Sequence, residues 1–193
     1  MNVNLIQQLR DETGACIMDA KNALEEAGGN INKARDILRK KGASIAAKKS
    51  KREAKDGKVV AYIHAGGKLG VLLKLYCETD FVARTDEFQT LANDIAMHIA
   101  AMDPQYVSKG DIPEDVLERE KDIYKEQFAD SGKSKEVQDS IIKGKLDKFA
   151  EDVVLLEQAF VKDPDKKVKD LIEEAVAKLG ENIQVGEFVH FEL

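Results

Sequence analysis

Between Val71 and Ile99 the hydrophobic pattern of the chain changes period. Val71, Leu73, Leu75 and Cys77 fall on one face of an alternating run, with Leu72, Lys74, Tyr76 and Glu78 on the other, as in a strand. Phe88, Leu91, Ala92, Ile95 and Ile99 then recur at helical spacing. The junction Cys77-Glu78-Thr79-Asp80-Phe81-Val82-Ala83-Arg84 contains no Gly or Pro, so it is no simple turn. Two readings stay open on spacing alone. A bulky Phe beside an Asp on a connector suits insertion into another molecule. Equally, Thr79 or Asp80 caps the helix and Phe81 folds into the local core.

The remaining pattern predicts an α+β core. Lys58–His64 alternates, Ala65-Gly66-Gly67-Lys68 reads as a turn, and Leu69–Glu78 returns, which makes a β-hairpin. Ile183–Leu193 alternates again, with Ile183, Val185, Val189 and Phe191 on one face, and supplies a third strand. Helices are expected over Asp86–Met102 and, with its stripe at Val168, Leu171, Ile172, Ala175, Val176 and Leu179, over Lys166–Leu179. A helical hairpin lies between them, one helix restarting at Asp111-Ile112-Pro113, a break at Ser131-Gly132, and a second helix capped by Ser134. Val153–Val161 is apolar without period and reads as a buried crossing segment. Three antiparallel strands packed with helices leave one sheet face that needs more helices or a second subunit.

Ahead of this core, residues 1–42 read as three short helices. Leu5, Ile6 and Leu9 mark the first, and Ile17, Ala20 and Leu24 the second, which stops at Gly28-Gly29. Asn30 caps the third, which carries Ile31, Ala34, Ile37 and Leu38 up to Gly42. So small a unit has a marginal core and suits docking. Ile17 and Met18 are adjacent, about 100° apart, so either one is a partner contact or both pack at the core edge. Residues 43–56 read as a linker, and 57–193 as the core domain. Residues 1–55 carry 12 basic and 7 acidic side chains, the remaining 138 carry 18 and 29. The basic cluster from Arg39 to Lys55 lacks aromatics for stacking on bases and precedes a strongly acidic stretch, so a solvated face is expected there, not a nucleic-acid site.

No run approaches the roughly 18 apolar residues of a membrane span. The N-terminus resembles neither a signal nor a transit peptide, and Cys16 and Cys77 form no CxxC pair, so a cytoplasmic protein is expected. The sequence lacks P-loop and dinucleotide glycine motifs, HExxH and GxSxG, and no cofactor or metal site is expected. A thiol centre of Cys77, His98 and Asp80 is conceivable. However, Cys77 belongs to the apolar strand face, where a thiol is buried and inert. His98 lies about 70° from the centre of its helix stripe, at the border of core and solvent, a satisfied border residue or a partner contact. Covalent catalysis is therefore not expected.

Together these segments resemble a known family. Leu9-Arg10-Asp11-Glu12-Thr13-Gly14-Ala15-Cys16-Ile17-Met18-Asp19-Ala20-Lys21 is similar to the N-terminal signature of bacterial elongation factor Ts, and Cys77–Arg84 to its core signature. Ala96-Met97-His98-Ile99-Ala100-Ala101 and Gly180-Glu181-Asn182-Ile183 match further family segments in the same order. The resemblance implies a guanine-nucleotide exchange factor for elongation factor Tu, binding its GDP-bound and nucleotide-free forms. It implies a UBA-like docking unit that contacts the GTPase through Arg10, Ile17 and Met18. It further implies an exchange element, Thr79, Asp80, Phe81 and Val82, that wedges into the GTPase and dislodges Mg²⁺, with His98 as another contact. The chain departs from the family pattern at Cys16-Ile17, at Ala159 and at Gly186-Glu187. Its single core resembles the short form and implies a homodimer through the core sheets. The competing reading is a UBA-type adaptor without exchange activity.

Overall fold

The computed structural model describes residues 3–128 and 134–193 and is an α+β fold. Two compact units emerge, one running up to Met97 and taking in Lys169–Leu193, the other spanning His98–Val168.

In the first unit, helices α1 (Val3–Thr13), α2 (Ile17–Glu26) and α3 (Ile31–Lys49) enclose Leu9, Ala20, Ala23, Leu24 and Ala34. The small alanines let these short helices approach closely. Gly28 and Gly29, both at positive φ, end α2, the Gly29 amide donating to the Leu24 carbonyl. The Asn30 side chain caps α3 by accepting from the Lys33 amide at 3.0 Å.

Helix α3 does not stop at Gly42, as expected from its sequence, but continues to Lys49. Gly42 is buried, and a Cβ there would lie 3.8 Å from the Ala177 side chain on helix α8 (Val168–Leu179). That distance is ordinary van der Waals contact, so the position tolerates the helix, and the alanine-rich stretch after it sustains it. The basic residues of this region are largely engaged within the chain. Arg39 pairs with the buried Asp170 at 2.5 Å, Lys41 with Asp19 at 2.6 Å, and Lys49 donates to the Gly180 carbonyl.

Strands β1 (Asp56–Ile63), β2 (Leu69–Cys77) and β5 (Gln184–Glu192) form an antiparallel sheet in the order β1-β2-β5. Val71, Leu73, Leu75 and Cys77 line its buried face. Two strands, β3 (Ala159–Phe160) and β4 (Asp163–Lys167), make a separate ribbon in the second unit. The expected facing of β5 is overturned halfway along. Leu75 pairs with Val185 but Leu73 pairs with Phe188, so one residue is inserted in β5. Gly186 sits at this bulge, where a Cβ would lie 2.4 Å from the Tyr76 ring. Beyond it Phe188 and His190 turn to the Leu73 and Val71 side, while Val189 and Phe191 face outward at 45% and 63% exposure.

The turn at Gly66-Gly67 and helix α5 (Asp86–Met102) follow the sequence pattern. In the second unit, helices α6 (Glu114–Phe128) and α7 (Lys135–Val153) form a hairpin over a small core of Ile112, Ala150 and Val154. The expected break at Ser131-Gly132 lies outside the described residues. Val153–Val161 is buried at Val154, Leu155, Gln158 and Phe160, but it contains a 3₁₀ turn and strand β3. Lys166 and Lys167 belong to β4 and not to α8. Among the described residues no helix is long and apolar enough to cross a membrane.

Candidate functional site

The junction after β2 is a short helix α4 (Asp80–Ala83) held from behind. Thr79 is extended at the N-cap position, and its hydroxyl accepts from the Val82 amide at 3.5 Å. Ala83 is buried and anchors the turn, whereas Phe81 is 80% exposed. Asp80 pairs with Arg84 at 2.7 Å along the same face. Capping and projection therefore coexist. Phe81 does not fold into the local core, because the cap and Ala83 orient the turn so that Phe81 points outward.

A second segment fixes the junction. Glu181, in the connection after α8, accepts from the Glu78 amide at 3.1 Å and the Thr79 amide at 3.0 Å through Oε2. Its Oε1 accepts from the Thr79 hydroxyl at 2.7 Å. In return the Asn182 amide donates to Glu78 Oε1 at 2.7 Å, and the Asn182 side chain donates to the Arg52 carbonyl at 2.6 Å. Gly180 at φ 79° turns the chain to make this approach. No hydrophobic period marks these contacts; the only sequence signal was the family-like Gly180–Ile183 segment.

Cys77 is fully buried, and its thiol donates to the Thr79 carbonyl at 3.1 Å. Burial, aided by the Glu181 carboxylate, pushes its pKa up to about 11, so at neutral pH it is a thiol and no nucleophile. Among the described residues no group of three or more His, Cys, Asp or Glu side chains is arranged to hold a metal ion.

On the N-terminal helices, Ile17 and Met18 are 57% and 60% exposed. Ile17 was expected on the core stripe of α2, but Ala20, Ala23 and Leu24 fill that core and leave both side chains to solvent. Arg10 is half-buried, its Nε donating to the Ala15 carbonyl at 3.4 Å.

His98 corrects its helical-wheel position. It is fully buried rather than at a border, because the β3 segment covers it, with Phe160 at 5.9 Å between ring centroids. Its Nδ1 accepts from the Val161 amide at 3.2 Å, which leaves the proton on Nε2 to donate to Gln158 Oε1 at 2.9 Å. Gln158 in turn donates to the Asp152 carbonyl at 2.7 Å. Burial holds the His98 pKa below the usual imidazole range, opposed by the bond to Gln158.

A capped turn presents one exposed aromatic ring, and the N-terminal helices present an exposed apolar pair, Ile17 and Met18. The family model described as elongation factor TS matches residues 5–193. Elongation factor Ts of Fervidobacterium nodosum is 54% identical over 193 residues, covering all of this chain and 98% of that protein. Those of Thermosipho melanesiensis and Carboxydothermus hydrogenoformans are 54% and 52% identical, over 99% and 98% of this chain and 97% and 87% of theirs. The chain belongs to the elongation factor Ts family.

Proposed function

We propose that this protein promotes GDP release from elongation factor Tu by inserting Phe81 and Asp80 into the GTPase's nucleotide domain and loosening its Mg²⁺, with no covalent chemistry. The observation that carries the reading is Phe81, a large ring left 80% exposed on a turn whose backbone is fixed. Thr79 caps that turn and Val82 closes it. Residues 1–49, which carry helices α1 to α3, act as the docking unit through Arg10, Ile17 and Met18, residues 50–56 connect, and 57–193 carry exchange and pair two chains in the cytoplasm. His98, being buried, serves the interaction by holding Val161 and Gln158 rather than by touching the partner.

Exchange requires differential binding, since equal affinity for loaded and empty GTPase shifts nothing. Burying Phe81 in a partner pocket contributes about 1.5–3 kcal/mol, roughly one to two decades of affinity. Bound Mg²⁺ bridges nucleotide and protein oxygens, so displacing its surroundings weakens nucleotide binding.

Phe81→Ala is expected to slow GDP release from elongation factor Tu by at least about tenfold while the protein stays folded. Release at the wild-type rate would sink the wedge. Deleting residues 1–49, and with them helices α1 to α3, is expected to leave a weakened GDP-release activity in the remaining core; an adaptor without exchange activity would show no stimulated GDP release even as the full chain.

A further inference from the structure

We infer that Glu181 is a positioning residue for exchange, setting the orientation from which Phe81 enters the partner. The inference rests on the exchange reading of Thr79–Val82. Glu181 comes from a segment 100 positions downstream of Phe81, yet its carboxylate takes up both backbone amides that enter α4, Glu78 and Thr79, and the hydroxyl that caps it. These are charge-assisted bonds, stronger than neutral ones. The Asn182 amide reciprocates onto the Glu78 carboxylate, so the two segments are latched from both sides. A four-residue helix closes very few hydrogen bonds of its own and has no cooperative length to hold it in place. Its orientation therefore comes from its ends, from Ala83 below and Glu181 behind. Phe81 itself touches none of these groups through a polar atom and relies on the backbone they fix. Pre-organising the ring spares the partner complex the ordering of that loop, which is where a fixed turn gains over a mobile one.

The test measures GDP release from elongation factor Tu across a range of factor concentrations, for Glu181→Ala, Glu181→Gln, Phe81→Ala and the Phe81→Ala/Glu181→Ala double variant. Glu181→Ala is expected to lower the saturating release rate about tenfold, about 1.4 kcal/mol, near the lower end of what one hydrogen bond to a charged group contributes. The half-saturating concentration stays within about twofold, because docking through Ile17 and Met18 is untouched. Glu181→Gln keeps an acceptor for the amides and a group for the Thr79 hydroxyl, and is expected to retain most of the rate. In the double variant Glu181→Ala adds no further loss to Phe81→Ala. A wild-type saturating rate in Glu181→Ala, or losses that multiply in the double variant, overturns the inference while Phe81→Ala remains slow. If Phe81→Ala itself exchanges normally, the exchange reading falls and this inference with it. Where Glu181→Ala fails to fold, Glu181→Asp replaces it. That variant keeps the charge but is a methylene too short to span both Thr79 groups. A several-fold loss supports the assignment and a wild-type rate overturns it.

Discussion

His98 shows how one side chain can be read correctly in type and wrongly in place. A helix wheel locates it at the edge of the apolar stripe, but it cannot register a strand from elsewhere in the chain laid over that edge. The same burial has a pH consequence. His98 accepts a backbone amide at Nδ1, so it is neutral in the folded protein, and its pKa is depressed from the ordinary 6.5. Below about 6.5 the unfolded chain takes up a proton that the folded chain refuses. The stability owed to the neutral ring is thus fully present above that pH and is lost as pH falls through the lower folded value. His98→Asn removes the titration. The expected outcome is a gap in Tm between wild type and variant that narrows from pH 7 to pH 5; a gap that stays constant would show that His98 accepts its proton without cost.

At the scale of elements, what was legible in the sequence is what carries an apolar period. The β1–β2 hairpin and α5 were, because their buried residues alternate or recur on a helical face. Strand β4 was not, since Asp163-Pro164-Asp165-Lys166-Lys167 has no apolar residue, and its Pro fits a two-stranded ribbon with open edges. The outer half of β5 was misread because the bulge at Gly186 inverts its faces. The grip of Glu181 on Thr79 was illegible for another reason: hydrogen bonds between distant segments leave no pattern. The hairpin also depends on a glycine for its register. Gly57, at φ 146°, faces Tyr76 so closely that a Cβ would lie 2.2 Å from the Leu75 carbonyl oxygen and 2.8 Å from Tyr76 Cα. Neither atom can move without breaking the β1–β2 ladder. Gly57→Ala is expected to cost about 3 kcal/mol or more, lowering Tm by roughly 6–12 °C. A calorimetric Tm within about 2 °C of wild type would mean that the strand end relaxes freely.

At the scale of the molecule, the outer face of the three-stranded sheet is apolar and exposed. Val59, Ile63, Leu72, Val189 and Phe191 on that face are 45–67% exposed. Leu72 pairs with Ala61 on one side and Val189 on the other, and Gly70 lies between Ile63 and Phe191, so these residues form a continuous apolar surface across all three strands. The Lys74–Glu187 ion pair lies on the same sheet toward one end. A patch of this kind on a sheet marks an interaction surface. In the proposed pairing of two chains, a two-fold contact through this face would set the same residues against themselves. The magnitudes bound its strength. About ten half-exposed side chains, each contributing on the order of 1 kcal/mol when covered, supply about 10 kcal/mol. Association itself costs from about 4 kcal/mol upward. The balance, about 6 kcal/mol or less before any rim contacts are added, corresponds to a dimer with a Kd of tens of micromolar or weaker from this face alone. Such a dimer assembles and dissociates with concentration. Sedimentation of the wild-type chain is therefore expected to show a mass that rises from one chain toward two across the micromolar to millimolar range. Leu72→Glu puts a charge at the centre of this apolar face on each chain, where covering it would cost desolvation, and is expected to hold the protein at the mass of one chain throughout. Should the wild type stay monomeric over that whole range, the pairing of two chains through this face falls.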